Sequence, residues 1–195
     1  MRIAPVGLAF RNASDDELYE AVRYAIMSSH VHPEAIDGAW IVAKVITTFL
    51  SDAPAPTDGV EFLKQTISLA KTPAMKQNIG RLIEVWDSST DARICETIGN
   101  GFQIKAIQAV PCALWCVAKE LNNAEDCIIR AVNMGGDTDT VGAIAGSMIG
   151  TLHGTKWVPE RWFDNVENKE RGRDYAIDLA KKLSALDLHT VILEE

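Results

Sequence analysis

Apolar residues recur three and four positions apart along most of this chain, and alternating, strand-like runs are sparse. A period near 3.6 places such residues on one face of an α-helix, so the pattern admits packed amphipathic helices and leaves little from which to build a sheet. Clusters of Ser, Thr, Asp, Pro and Gly interrupt it about one helix apart, as short connections do. Hydrophobic residues make up 47% and charged residues 24% of the 195 positions, enough apolar side chain for a core and too little charge for a disordered chain. The expected fold is all-α, one domain over residues 1–195 with no internal repeat or linker.

Local signals place the helices. Ser14 and Glu17 form a capping box before an apolar face of Leu18, Val22, Ala25 and Ile26, which stops near His30. Pro33 suits the first turn of the next helix, whose face runs through Ile36, Trp40, Ala43, Ile46 and Phe49 to Ser51. After the Pro-rich stretch SDAPAPTDG, Val60 to Ile67 predicts a helix ending before Pro73, and Thr72-Pro73 starts another through Ile79, Leu82, Ile83 and Trp86. A short helix through Ile94 is expected to end on Gly99 as a left-handed cap. Ala109 to Leu121 reads as a helix with Pro111 in its first turn, and Asn123 caps the helix of Cys127 to Val132. Glu34 and Asp37 read as solvated helix-start charges.

The sharpest feature is Gly135-Gly136-Asp137-Thr138-Asp139-Thr140, running into VGAIAGSMIGTLHG. Two carboxylates two residues apart, with the Thr140 hydroxyl, are hard oxygen ligands of the kind Mg²⁺, Mn²⁺ or Ca²⁺ prefers. The glycines before them permit a tight turn. Ordinary capping by one Asp or Thr is the alternative, and it stays open at this point. The helix that follows repeats glycine at 142, 146, 150 and 154, each costing about 1 kcal/mol in propensity relative to Ala, so close approach by neighbouring helices is expected to offset the loss. That predicts a central, buried glycine-rich helix.

Charge narrows the partners. Nineteen Lys and Arg against 27 Asp and Glu give −8, the wrong sign for affinity built on nucleic-acid phosphates, and no apolar stretch reaches the length of a membrane span. An anionic ligand would need local donors or a bridging cation. Cys95, Cys112, Cys116 and Cys127 lie in apolar contexts with no CxxC pair, which reads as buried thiols in a reducing, cytoplasmic-type compartment. His30-Val31-His32 offers two imidazoles to zinc without an evident third ligand, so a loop histidine or a substrate contact are the other options.

With the Gly-Gly-Asp-Thr-Asp-Thr segment, the Gly/Ala-rich helix and Trp157-Val158-Pro159-Glu160-Arg161-Trp162, the chain resembles the ADP-ribosylglycohydrolase family. The resemblance extends over Met1-Arg2-Ile3-Ala4-Pro5-Val6-Gly7-Leu8, over the Ser29-to-Pro33 turn, and over Gly99-Asn100-Gly101 with Val110-Pro111. A similar Gly-Asn-Gly turn occurs in the family's poly(ADP-ribose)- and serine-ADP-ribose-hydrolysing branch. The resemblance implies an all-α bundle that holds two divalent cations, Mg²⁺ or Mn²⁺, and cleaves ADP-ribose from proteins, polymer or small molecules. It implies that Asp137, Asp139 and Thr140 are metal ligands. It also implies a substrate-binding set of His30, Gly99, Asn100, Gly101, Phe102, Gly136 and Thr138, with Phe102 on the adenosine side.

The family's Gly-Asp-x-x-Gly segment, its Thr/Ser-Asp-Asp-Thr segment, its catalytic Glu and its diphosphate loop precede the point matching Met1. The resemblance therefore implies the C-terminal part, about two thirds, of a family enzyme without its N-terminal helices, and no catalytic acid or base within this chain. The leading expectation is an ADP-ribosyl hydrolase in which this chain carries the C-terminal part of the site. The alternatives are a non-catalytic ADP-ribose-binding or structural relative, or a subunit completed by a second chain.

Overall fold

A computed structural model describes residues 1–52, 54–186 and 188–189. Among them the chain forms helices and no strand: α1 (Ala4–Ala9), α2 (Asp15–Ile26), α3 (Pro33–Leu50), α4 (Gly59–Leu69), α5 (Pro73–Glu84), α6 (Asp91–Thr97), α7 (Ala106–Lys119), α8 (Ala124–Asn133), α9 (Thr138–His153), α10 (Glu160–Phe163) and α11 (Arg173–Ser184). The all-α expectation therefore holds. None of these helices is long and apolar enough to cross a membrane.

Most starts follow from side-chain caps. Ser14 and Glu17 close a full capping box on α2, and Asp58, Thr72, Thr90 and Asn123 each accept the N–H three residues on. His32 caps α3, its Nδ1 accepting the Glu34 N–H at 3.3 Å. Helix α7 begins at Ala106, so Pro111 lies inside it and not in its first turn. The carbonyl of Ile107, which Pro111 leaves without an amide partner, is instead bonded by the Asn78 side chain at 3.0 Å.

Helices α3 and α7 occupy the middle, packing against each other and both against α4, α5 and α9. Every residue of α7 from Ala109 to Ala118 is buried, as suits a helix that is apolar all round. Cys112, Cys116 and Cys127 are buried and unpaired, and burial pushes the Cys112 and Cys127 thiols up to about 12, so these groups act as small hydrophobes.

Asp37 is a correction. It is 1% exposed, and its carboxylate accepts the Lys71 N–H (2.9 Å), the Thr72 N–H (2.7 Å) and the Thr72 hydroxyl (2.6 Å). It is therefore a buried clamp from α3 onto the α4–α5 connection, not a solvated charge.

Helix α9 packs on α3, α7 and α8, burying Val141, Ile144, Ala145, Met148 and Ile149. Its glycines line the flank of that buried face. A Cβ on Gly142 would lie 3.2 Å from Val132, and one on Gly146 3.2 Å from Ile128, both on α8, whereas one on Gly150 would meet nothing within 4 Å. The stripe thus serves one neighbour and only half its length. Gly146→Leu should destabilise by about 1–3 kcal/mol through overpacking. Gly150→Ala should be neutral or stabilising by up to about 1 kcal/mol. Thermal unfolding of both variants checks the contrast, and equal behaviour at the two positions would contradict the close approach.

Candidate functional site

Two glycine turns meet at one edge of the bundle. The first joins α6 to α7 and the second joins α8 to α9. Helix α6 is fixed at its start by Asp91, which accepts Trp115 Nε1 at 2.8 Å and pairs with Arg130 at 2.6 Å, while Arg130 also holds Glu120. These bonds tie α6 to α7 and α8, the elements that carry the two turns.

In the first turn the left-handed residues are Asn100 (φ 56°), Gly101 (φ 71°) and Gln103 (φ 52°), so the cap expected at Gly99 falls one and two residues later. Gly99 is buried, and a Cβ there would come within 2.6 Å of the Cys95 carbonyl and 2.7 Å of Gln103 Cγ. Its lack of a side chain serves close approach rather than dihedral freedom. Asn100 is exposed and Gly101 half-buried. Phe102 stands 65% exposed, beside a Gln103 that is fully buried.

In the second turn Gly135 (φ 92°) and Gly136 (φ 70°) bring the chain around to Asp137. The Asp137 N–H is shared between the Phe102 carbonyl and Gln103 Oε1, each at 3.0 Å, which fastens the second turn to the first. Asp137 occupies the N-cap position of α9, yet its side chain accepts none of the helix amides. The Asp137 carboxyl beside it, followed by the Thr140 N–H at 2.8 Å, holds the Asp139 carboxyl below the usual carboxylate range. Thr140 adds a hydroxyl in the same first turn, and Thr138, half-buried, bonds back to the Gly136 carbonyl at 2.9 Å.

The donor set is chemically uniform. Two carboxylates in contact at an exposed helix start repel unless a proton or a cation lies between them, and with a hydroxyl beside them the atoms on offer are all hard oxygens. Such oxygens would suit a hard divalent cation of the Mg²⁺, Mn²⁺ or Ca²⁺ kind better than a metal that prefers nitrogen or sulfur. Among the described residues no group of three or more His, Cys, Asp or Glu side chains is arranged so that it could hold a metal ion.

The structure does not join His30 to this cluster. Its Nδ1 lies 2.8 Å from Ser29 Oγ at the α2–α3 corner, in a cleft of about 260 Å³ with Glu20, Arg23, Tyr24, Met27 and Ile36, none of them in either glycine turn. Gln103 is the residue the sequence left unmarked. Its only local signal is a polar side chain between two exposed apolar ones, Phe102 and Ile104, directly after the glycine turn.

An all-α domain with an acidic pair at a glycine-hinged helix start defines the class. Residues 1–190 match the ADP-ribosylglycohydrolase family, and the chain belongs to that family. It is 29% identical over 211 residues to ADP-ribosylhydrolase ARH3 of Danio rerio, an overlap of 94% of this chain and 55% of that protein. It is 25% identical over 198 residues to ADP-ribosylhydrolase ARH3 of Bos taurus, covering 87% of this chain and 53% of that one. It is also 26% identical over 187 residues to ADP-ribosylarginine hydrolase Tri1 of Pseudomonas putida (strain GB-1), covering 96% and 46%. The chain spans about half the length of the curated relatives it matches.

Proposed function

We propose that this chain carries the cation- and ribose-holding part of an ADP-ribosyl hydrolase site, acting on ADP-ribosylated protein or polymer. The observation that supports it most is that Asp137, at the N-cap of α9, accepts none of the helix amides while its own N–H is fastened to the Phe102 carbonyl and Gln103 Oε1. Asp137, Asp139 and Thr140 would hold Mg²⁺ or Mn²⁺. The cation supplies a fixed positive charge against which ribose hydroxyls can be oriented.

The chain's own residues do the rest of the positioning. Asn100, Gly101 and Phe102 present an open turn and an exposed aromatic face beside the acidic pair, suited to stacking on a base. Gly136, where a Cβ would strike Gln103 Oε1 and the Gly101 carbonyl, lets the second turn close onto the first, and Thr138 follows it into α9. A carboxylate committed to a cation has lowered basicity, so neither Asp137 nor Asp139 is assigned the acid–base role that glycosidic cleavage requires.

ADP-ribose binding tests this directly. Calorimetry should give binding that depends on Mg²⁺, is lost on chelation, and weakens at least about tenfold, or about 1.4 kcal/mol, in Asp139→Ala. Phe102→Ala should weaken it several-fold without removing the cation dependence. Binding of equal strength with and without Mg²⁺ would overturn the assignment.

A further inference from the structure

We infer that Gln103 is a positioning residue that locks the two glycine turns together and so sets the aim of the Asp137–Asp139 pair toward its cation, an inference that rests on the function proposed above. Gln103 is 0% exposed and sits at φ 52°, a backbone conformation that a side chain of its size adopts only when its surroundings over-determine it. Both ends of its amide are used. Nε2 donates to Cys95 Sγ at 2.6 Å on α6, and Oε1 accepts the Asp137 N–H at 3.0 Å at the start of α9.

The glycines on either side are shaped around this side chain. A Cβ on Gly136 would fall 1.8 Å from Gln103 Oε1, and one on Gly99 2.7 Å from its Cγ. The Gln103 N–H in turn closes its own turn onto the Gly99 carbonyl at 2.8 Å. One neutral amide therefore fills the space between the turns, satisfies an amide at the residue that carries the first carboxylate, and adds no charge to an already acidic corner. A carboxylate in its place could not donate to the sulfur, and an apolar side chain would leave the Asp137 N–H with the Phe102 carbonyl alone.

Gln103→Met keeps length and volume while removing both hydrogen bonds. In the wild type the Asp137 amide proton and the Gln103 side-chain amide protons should exchange slowly with solvent, a measurement that needs no variant. In Gln103→Met the Asp137 amide should exchange at least about tenfold faster, and Mn²⁺ affinity, measured where the variant is folded, should fall at least about tenfold. Leu82→Ala, a core truncation on α5, is the control for stability alone and should leave Mn²⁺ affinity unchanged. Rapid exchange of the Asp137 amide in the wild type, or equal Mn²⁺ affinity in Gln103→Met and wild type, would overturn the inference while the cation site stands. A loss in Leu82→Ala equal to that in Gln103→Met would reduce Gln103 to a stability role and overturn it also. Absence of Mn²⁺ binding by the wild type would overturn the proposed function itself, and this inference with it.

Discussion

Asp37→Ala should destabilise the fold by about 3–5 kcal/mol, because it removes a charged acceptor from three donors at once. The Lys71 and Thr72 amides and the Thr72 hydroxyl all converge on that carboxylate. Once it is gone, all three donors lose their acceptor at this part-buried corner, and the N-terminal cap of α5 loses the bond that orients the Thr72 side chain. The carboxylate acts across 34 and 35 residues of sequence, so its loss frees the α4–α5 connection from α3 rather than loosening one turn. At about 2–4 °C per kcal/mol for a domain of this size, the melting temperature should drop by roughly 10 °C. Asp37→Asn keeps an acceptor in place and should cost less than half as much. Denaturant titration of both variants checks this, and a loss under about 1 kcal/mol in Asp37→Ala, typical of an exposed carboxylate, would contradict the clamp.

Gly136→Ala should reduce cation affinity by about 100-fold or more, the equivalent of roughly 2.7 kcal/mol. The added methyl carbon would sit 1.8 Å from Gln103 Oε1 and 2.7 Å from the Gly101 carbonyl, at a φ of 70° that alanine adopts only with strain. Neither obstacle is the free end of a surface side chain. The second turn must therefore part from the first, taking Asp137 with it. Gly135→Ala provides the comparison, since its φ of 92° is strained but its added carbon would meet only Cys95 Sγ, at 3.7 Å. It should destabilise the protein yet disturb cation binding much less. Equal cation affinities for the two alanine variants would show that the packing around Gln103 does not govern the pair.

What the sequence made legible was what acts over one helical turn. The capping box of Ser14 and Glu17, the Asn123 cap and the first-turn Pro33 are bonds or constraints within three residues, and the helices they open appear where those residues place them. The acidic pair was legible for the same reason, since both carboxylates sit in one short segment. Asp37 was not, because its meaning lies in donors more than thirty residues away that nothing in its neighbourhood announces. Pro111 was misplaced because the bond compensating for it comes from Asn78, on another helix. Gly99 looked like a left-handed cap by position, but three-dimensional crowding by Gln103 sets its role, and the left-handed residues follow it. The glycine stripe of α9 predicted close packing along its whole length, whereas only Gly142 and Gly146 have a neighbour to approach.

The most direct test of the account is a calorimetric titration of Mg²⁺ and of Mn²⁺ into the chain, repeated for Asp137→Asn, Asp139→Ala and Thr140→Val. Both cations should bind to the parent protein, and Asp139→Ala and Asp137→Asn should each weaken binding at least about tenfold, with Thr140→Val intermediate. Cation affinities identical in parent and carboxylate variants, or binding of neither cation by the parent, would contradict a hard-cation site at the start of α9.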